Sequence, residues 1–152
     1  MKKAIIGIGI FAVAAYYYSR SKINDIENII PNLQPKINTL NAINFGPGII
    51  NLNIDLKLTN TTTSSFNANT GSALKLEKAE VFTPGGIKIA EAIKEVSNIN
   101  LPAYGSVIIQ NIDVAIFTEN LESIAIELIT GDLLNNLIIN AHIEALGKKY
   151  IV

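Results

Sequence analysis

His142 is the only histidine of the chain, and there is no cysteine to accompany it. A zinc site built from several histidines or thiolates, and a two-histidine proton relay, each require more of these side chains than one chain supplies. Nucleophilic catalysis is no better served. Ser64, Ser65, Ser97, Ser106 and Ser123 lie outside any Gly-x-Ser-x-Gly elbow and have no evident base. Glu119, Glu122 and Glu127, followed by Asp132, lack the spacing of an EF-hand calcium loop and read as the solvated side of a helix. Gly7-Ile8-Gly9 falls in an apolar run and Pro84-Gly85-Gly86 in a hairpin, so neither cradles a phosphate ahead of a helix. The expectation is a protein that is not an enzyme, with no cofactor and no metal.

The elements around these residues read as strands. Beyond Pro35 the hydrophobic period becomes two. Ile50, Leu52, Ile54, Leu56 and Leu58 alternate with Asn51, Asn53, Asp55, Lys57 and Thr59, the pattern of a half-buried strand. Lys36 to Phe45 precedes it across Gly46-Pro47-Gly48, a strong turn signal. Ala73 to Thr83 and Gly86 to Glu95 form a hairpin, and the parity slip between Leu76 and Ala79 predicts a bulge. Val96 to Leu101 and Ser106 to Phe117 add two strands. Leu137 to Ala145 resumes the alternation, and Lys149 to Val152 ends it. Only Thr118 to Thr130 departs: Leu121, Ile124, Ala125 and Leu128 share a helical face that Thr118 caps and Gly131 closes. The fold class is mainly β, an antiparallel sandwich of about seven strands with one late helix. By strand parity His142 falls on the outer face, a solvated position.

Before the strands lies a different kind of sequence. From Ala4 to Tyr18 no charge interrupts the chain, with Lys2 and Lys3 before it and Arg20 and Lys22 after it. At about 1.5 Å per residue this run spans roughly 22 Å, short of a hydrocarbon core of about 30 Å. Snorkelling lysine and arginine side chains and local bilayer thinning close that gap. Ile5, Ile6, Ile8, Ile10, Phe11 and Val13 supply the apolar body, and Tyr16, Tyr17 and Tyr18 stand where an interfacial aromatic belt belongs. The segment reads as an uncleaved, single-pass membrane anchor, residues 1–19, with the lipid bilayer as its partner. A cleaved signal peptide, for which Ala12-Val13-Ala14 has the small-residue pattern, and a helix packed against protein are the alternatives. Two basic residues on each side leave the orientation open.

Residues 20–35 read as a stalk. Ile23, Ile26 and Ile29/Ile30 extend a helical period until Pro31 stops it, and Pro31 with Pro35 makes an extended spacer. Residues 36–152 are then one domain, too short for two cores. Four of the twelve basic residues lie in the first twenty-two, leaving eight against thirteen acidic ones in the rest. An acidic body without a basic stripe excludes nucleic acid as a partner. The abundance of isoleucine and asparagine fits an AT-rich coding genome.

Several of these segments together resemble the late-embryogenesis-abundant type 2 or WHy (water stress and hypersensitive response) domain. They are the alternating strand that ends in Asn60, the hairpin Lys75 to Ala90, Ile99-Asn100-Leu101-Pro102-Ala103-Tyr104-Gly105-Ser106, and Leu137 to Gly147 after the late helix. The resemblance runs from about Ile37 to Leu146. Where members of that family typically carry Asn-Pro after the long strand, Asn60 is followed here by Thr61. The resemblance implies an immunoglobulin-like sandwich, often behind one N-terminal membrane segment, and a non-enzymatic role in stress protection or in membrane and partner interactions.

The loop after β-strand Ile50–Thr59 is the expected contact surface: Thr61, Thr62, Ser64, Ser65, Phe66 and Asn67 in a polar stretch that reaches Thr70. A plain flexible loop is the alternative for it, and Asn60-Thr61-Thr62 is also a formal glycosylation sequon. Two functions follow from this pattern. One is a membrane-anchored, non-catalytic module for stress protection or interaction. The other is a structural subunit of a membrane-associated assembly, such as a minor virion protein of a membrane-containing phage. Protein partners or a homo-oligomer belong to either.

Overall fold

The computed structural model describes residues 23–67, 74–117, 119 and 136–152. Seven strands, β1 (Leu33–Gly46), β2 (Ile49–Asn60), β3 (Leu74–Phe82), β4 (Lys88–Ile99), β5 (Ser106–Phe117), β6 (Ile138–Ala145) and β7 (Lys148–Ile151), join in one antiparallel sheet. Their order is β1-β2-β5-β4-β3-β6-β7. The expected anchor (Ile5, Ile6, Ile8, Ile10, Phe11, Val13, Tyr16, Tyr17, Tyr18) lies outside the described residues, and so does the expected late helix apart from Glu119. Among the described residues no helix is long and apolar enough to cross a membrane.

Alternation decides which side of each strand faces inward. Ile50, Leu52, Ile54, Leu56 and Leu58 of β2 are buried, as are Leu74, Leu76, Ala79 and Val81 of β3 and Ile139, Ala141, Ile143 and Ala145 of β6. The expected slip in β3 is real: its register with both β4 and β6 shifts between Leu76 and Lys78. At the end of β6, Leu146 and Gly147 both take positive φ (50° and 74°). Two such residues in a two-residue loop match the right-handed twist of the strands they join, β6 and β7.

One continuous sheet closes around one core because it is nearly cut in two. β5 pairs with β2 from Ser106 to Phe117, and β3 pairs with β4 from Leu74 to Phe82. Between β4 and β5 the only ladder is Ala90 with Ile116 and Glu91 with Ala115. The halves β1-β2-β5 and β4-β3-β6-β7 therefore hinge at that short ladder. They fold toward each other until β1 meets β6, strands far apart in the sheet order.

The chain ahead of β1 belongs to this core. Residues 23–29 are helical and run into a 3-10 turn, Ile30–Asn32, with Pro31 at its start. Ile26, Ile29, Ile30 and Leu33 are buried with the strand residues, so the helical period expected from Ile23 to Pro31 is formed, but the segment packs on the core instead of standing free as a stalk, and Leu33 to Pro35 belong to β1 rather than to a spacer. The helical period that the isoleucines keep puts them on one face, and that face docks. β1 also starts three residues earlier than its polar pattern indicates. Pro35 is tolerated inside it, opposite Leu58, because β1 is an edge strand and needs no donor on its outer side.

Candidate functional site

β2 keeps its inward parity one step beyond its last apolar residue, and the side chain placed there is Asn60, with no exposed surface. A buried amide must find partners for both ends. Asn60 Nδ2 donates to Ser64 O (2.8 Å) and to Pro102 O (3.0 Å). Its Oδ1 accepts from Thr62 N (3.0 Å) and Thr62 Oγ1 (2.7 Å). The backbone adds Asn60 N to Gly105 O (2.8 Å) and Tyr104 N to Thr62 O (3.0 Å). Phe66 and Leu101 exchange both of their backbone hydrogen bonds as an isolated bridge.

These bonds correct the expected contact loop. Thr62 and Phe66 are turned inward, 8% and 4% exposed, because the Asn60 turn draws one in and the bridge to Leu101 seats the other. Thr61, Ser65 and Asn67 face solvent, and Ser64 is half-buried. The N-terminal helical segment also leans on this loop. Thr61 Oγ1 donates to Asn32 O (3.1 Å), and Asn28 Nδ2 donates to Ser64 Oγ (3.4 Å).

Beyond the Asn60 hub, β4 and β5 part. Each strand carries an asparagine with positive φ, Asn98 (58°) and Asn111 (56°). At each of them the register with the neighbouring strand shifts. Bulges of this kind bend a strand and end its pairing. The result is a cleft of about 420 Å³, lined by Val96, Ile99, Val107, Ile108, Ile109 and Gln110 among others. Lys94, two residues before Val96 on β4, bridges to β5 beside the lining residue Gln110. Its Nζ donates to Asn111 O (2.6 Å) and Gln110 O (3.3 Å), carbonyls of the opposite lip.

The outer face of the other half is a network of charge. Glu80 on β3 accepts from Lys88 Nζ on β4 (2.7 Å), Lys78 Nζ (3.1 Å) and His142 Nε2 on β6 (2.7 Å). Lys78 and Lys88 both also meet Glu91. Hydrogen bonds from Lys88 first, then His142, hold the Glu80 carboxyl well below the usual carboxylate range. Lys88 lowers Glu91 in the same way. His142 does lie on the outer face, but with its side chain only 21% exposed and engaged, not merely solvated. A carboxylate held ionised this firmly is tuned away from proton transfer near neutrality.

Two of these placements carry a sequence signal that the hydrophobic pattern alone passes over. Asn60 follows Leu58 at inward parity, and Lys94 follows Ala90 and Ala92 at inward parity, so each is a polar residue on a core face. The Glu80 and His142 pairing carries no such signal, since it depends on β6 lying beside β3. Among the described residues no three His, Cys, Asp or Glu side chains gather to hold a metal ion. No protein-family model and no curated protein matches the chain.

Proposed function

We propose that this chain is a membrane-tethered, non-catalytic interaction module of the late-embryogenesis-abundant type 2/WHy kind. Its body is an immunoglobulin-like sandwich completed by the late helix over 118–130. The apolar run Ala4 to Tyr18 is its tether. One observation carries the reading: among the described residues a cleft opens between two strand lips, lined by aliphatic side chains, amides and backbone, a surface suited to holding a partner. The Asn60 hub supports the family likeness, because it binds together two of the segments that bear it, the end of the long strand and Leu101 to Gly105.

The test is made on the full chain in its native membrane. Alkaline washing should leave it in the membrane fraction, and crosslinking there should yield an attached protein neighbour. Release by the wash counts against the tether, and a lone protein counts against the module.

A second reading, a structural subunit of a membrane-associated assembly, is favoured by the β1–β2 hairpin tip. Phe45 there is 79% exposed and Ile43 41% exposed, and the tip lies at the far end of β1 from the helical segment. A stoichiometric neighbour crosslinked through Phe45 supports this second reading.

A further inference from the structure

Two strand edges that face each other across a cleft present something an apolar hollow does not: rows of backbone donors and acceptors. The β4–β5 ladder stops at Glu91 and Ala115. Below it, the lip of β4 from Val96 to Ile99 and the lip of β5 from Val107 to Gln110 border the cleft without pairing with each other. Neighbouring strands sit about 4.8 Å apart. Here no such ladder joins the lips, and a lysine side chain from β4 reaches the carbonyls of β5 instead. Unpaired strand edges are templates for another strand.

The side chains around the gap say what kind of strand fits. Val96 and Val107 are only partly buried although they pack against the core. Ile108 is 47% exposed on the outer side, and Ile93, just before Lys94, is 81% exposed. A strand laid here covers apolar surface with every second residue. Charge narrows it further. Lys75, Lys78, Lys88 and Lys149 each meet a glutamate, whereas Lys94 meets only the two carbonyls among the described residues. It is the cation at this cleft whose charge the fold leaves uncompensated.

We infer that the parting between β4 and β5 is a strand-accepting site, whose occupant is an extended segment of a partner polypeptide, apolar at alternate residues and bearing a carboxylate opposite Lys94. This rests on the reading of the domain as a binding module and names what it binds. The incoming backbone pairs with the lips, its apolar residues cover Val96 and Val107 on the core side, and its carboxylate takes Lys94 from the carbonyls of Gln110 and Asn111. Those carbonyls are then free to accept from the new strand.

The probe is a short synthetic peptide of alternating valine and threonine with one central glutamate, added to the full chain in detergent micelles. Residue-resolved amide hydrogen exchange is the readout. The expected result is slowed exchange at amides within 96–99 and 107–110, with a glutamine-for-glutamate peptide binding about tenfold more weakly. A lysine-for-glutamate peptide should be weaker still on the native chain and regain affinity on Lys94→Glu. Protection confined to the outer edges β1 and β7, or at neither lip, overturns the inference. Equal affinity for the glutamate, glutamine and lysine peptides overturns the role given to Lys94, and this arm needs no variant to fold. A chain that stays in the membrane and crosslinks to a neighbour, but whose lips gain no protection, sinks this site while leaving the tethered module intact. Protected lips in a chain that alkaline washing releases do the reverse.

Discussion

Asn60 Nδ2 lies 3.0 Å from the carbonyl oxygen of Pro102, and through that bond the end of β2 holds the turn that launches β5. The same amide also fastens Ser64 O and accepts from Thr62. Truncation in Asn60→Ala orphans buried groups on both loops, and each such loss costs about 1–3 kcal/mol. Stability should fall by about 3 kcal/mol, measured by urea unfolding. Asn60→Asp should be at least as damaging, because it keeps the acceptor, loses the donor and buries a charge. A variant within about 0.5 kcal/mol of the parent would show that this hub does not hold the loops.

Gly105 sits in the same turn, donating to Pro102 O at 3.1 Å. A Cβ added there would stand 2.3 Å from Pro102 Cγ and 3.2 Å from its Cβ. The proline ring is rigid and cannot swing away. Gly105→Ala should cost about 2 kcal/mol through forced backbone movement. Pro102→Ala removes the offending Cγ, so the double variant should recover part of the loss. Thermal melts of the two single variants and the double variant measure this coupling; strictly additive effects would contradict the clash.

Acid should weaken the fold through the Glu80 network. Lys88 and His142 hold Glu80 below its ordinary value near 4.5, and Glu91 and Glu77 are lowered in the same direction, chiefly by Lys88 and Lys149. A carboxyl that titrates lower when folded leaves the unfolded chain holding more protons in the interval between the two values. Its stabilisation is complete above about pH 4.5 and disappears as the pH falls toward the folded value. Unfolding free energy measured from pH 6 downward should therefore drop below about pH 5, and Glu80→Gln should flatten that slope. An unchanged slope in the variant would place the acid sensitivity elsewhere.

Much of the sheet is written in the period of the sequence. β5 runs over Ser106–Phe117, as its alternation indicates, and the bulge in β3 announces itself as a parity slip. The segments Gly86 to Glu95 and Val96 to Leu101 look like two strands but form one, β4, because a bulge at Asn98 resets the parity without ending the strand. What period cannot reveal is set by contacts between distant segments. The bridge between Phe66 and Leu101 turns an apparently solvated loop residue inward. The parting of β4 from β5 exists because two bulges, on separate strands, face the same gap. Nothing local to either strand encodes that meeting.

The helical segment before β1 makes the sharpest division between a tether and a part of the fold. Ile26, Ile29, Ile30 and Leu33 are between 1% and 6% exposed. Burying a large aliphatic side chain contributes about 1.5–3 kcal/mol. Four of them together rival the whole net stability of a small domain, about 5–15 kcal/mol. A chain starting at residue 23 should keep the cooperative unfolding of its strands, since every one of these four isoleucine and leucine side chains is retained. A chain starting at residue 36 should lose that cooperativity or aggregate, because Leu58 and its neighbours are left with an open face. Ile29→Ala in the full chain grades the same effect, with an expected loss of about 3 kcal/mol. If the chain from residue 36 melts like the longer one, the segment is an ornament on the sheet rather than part of its core.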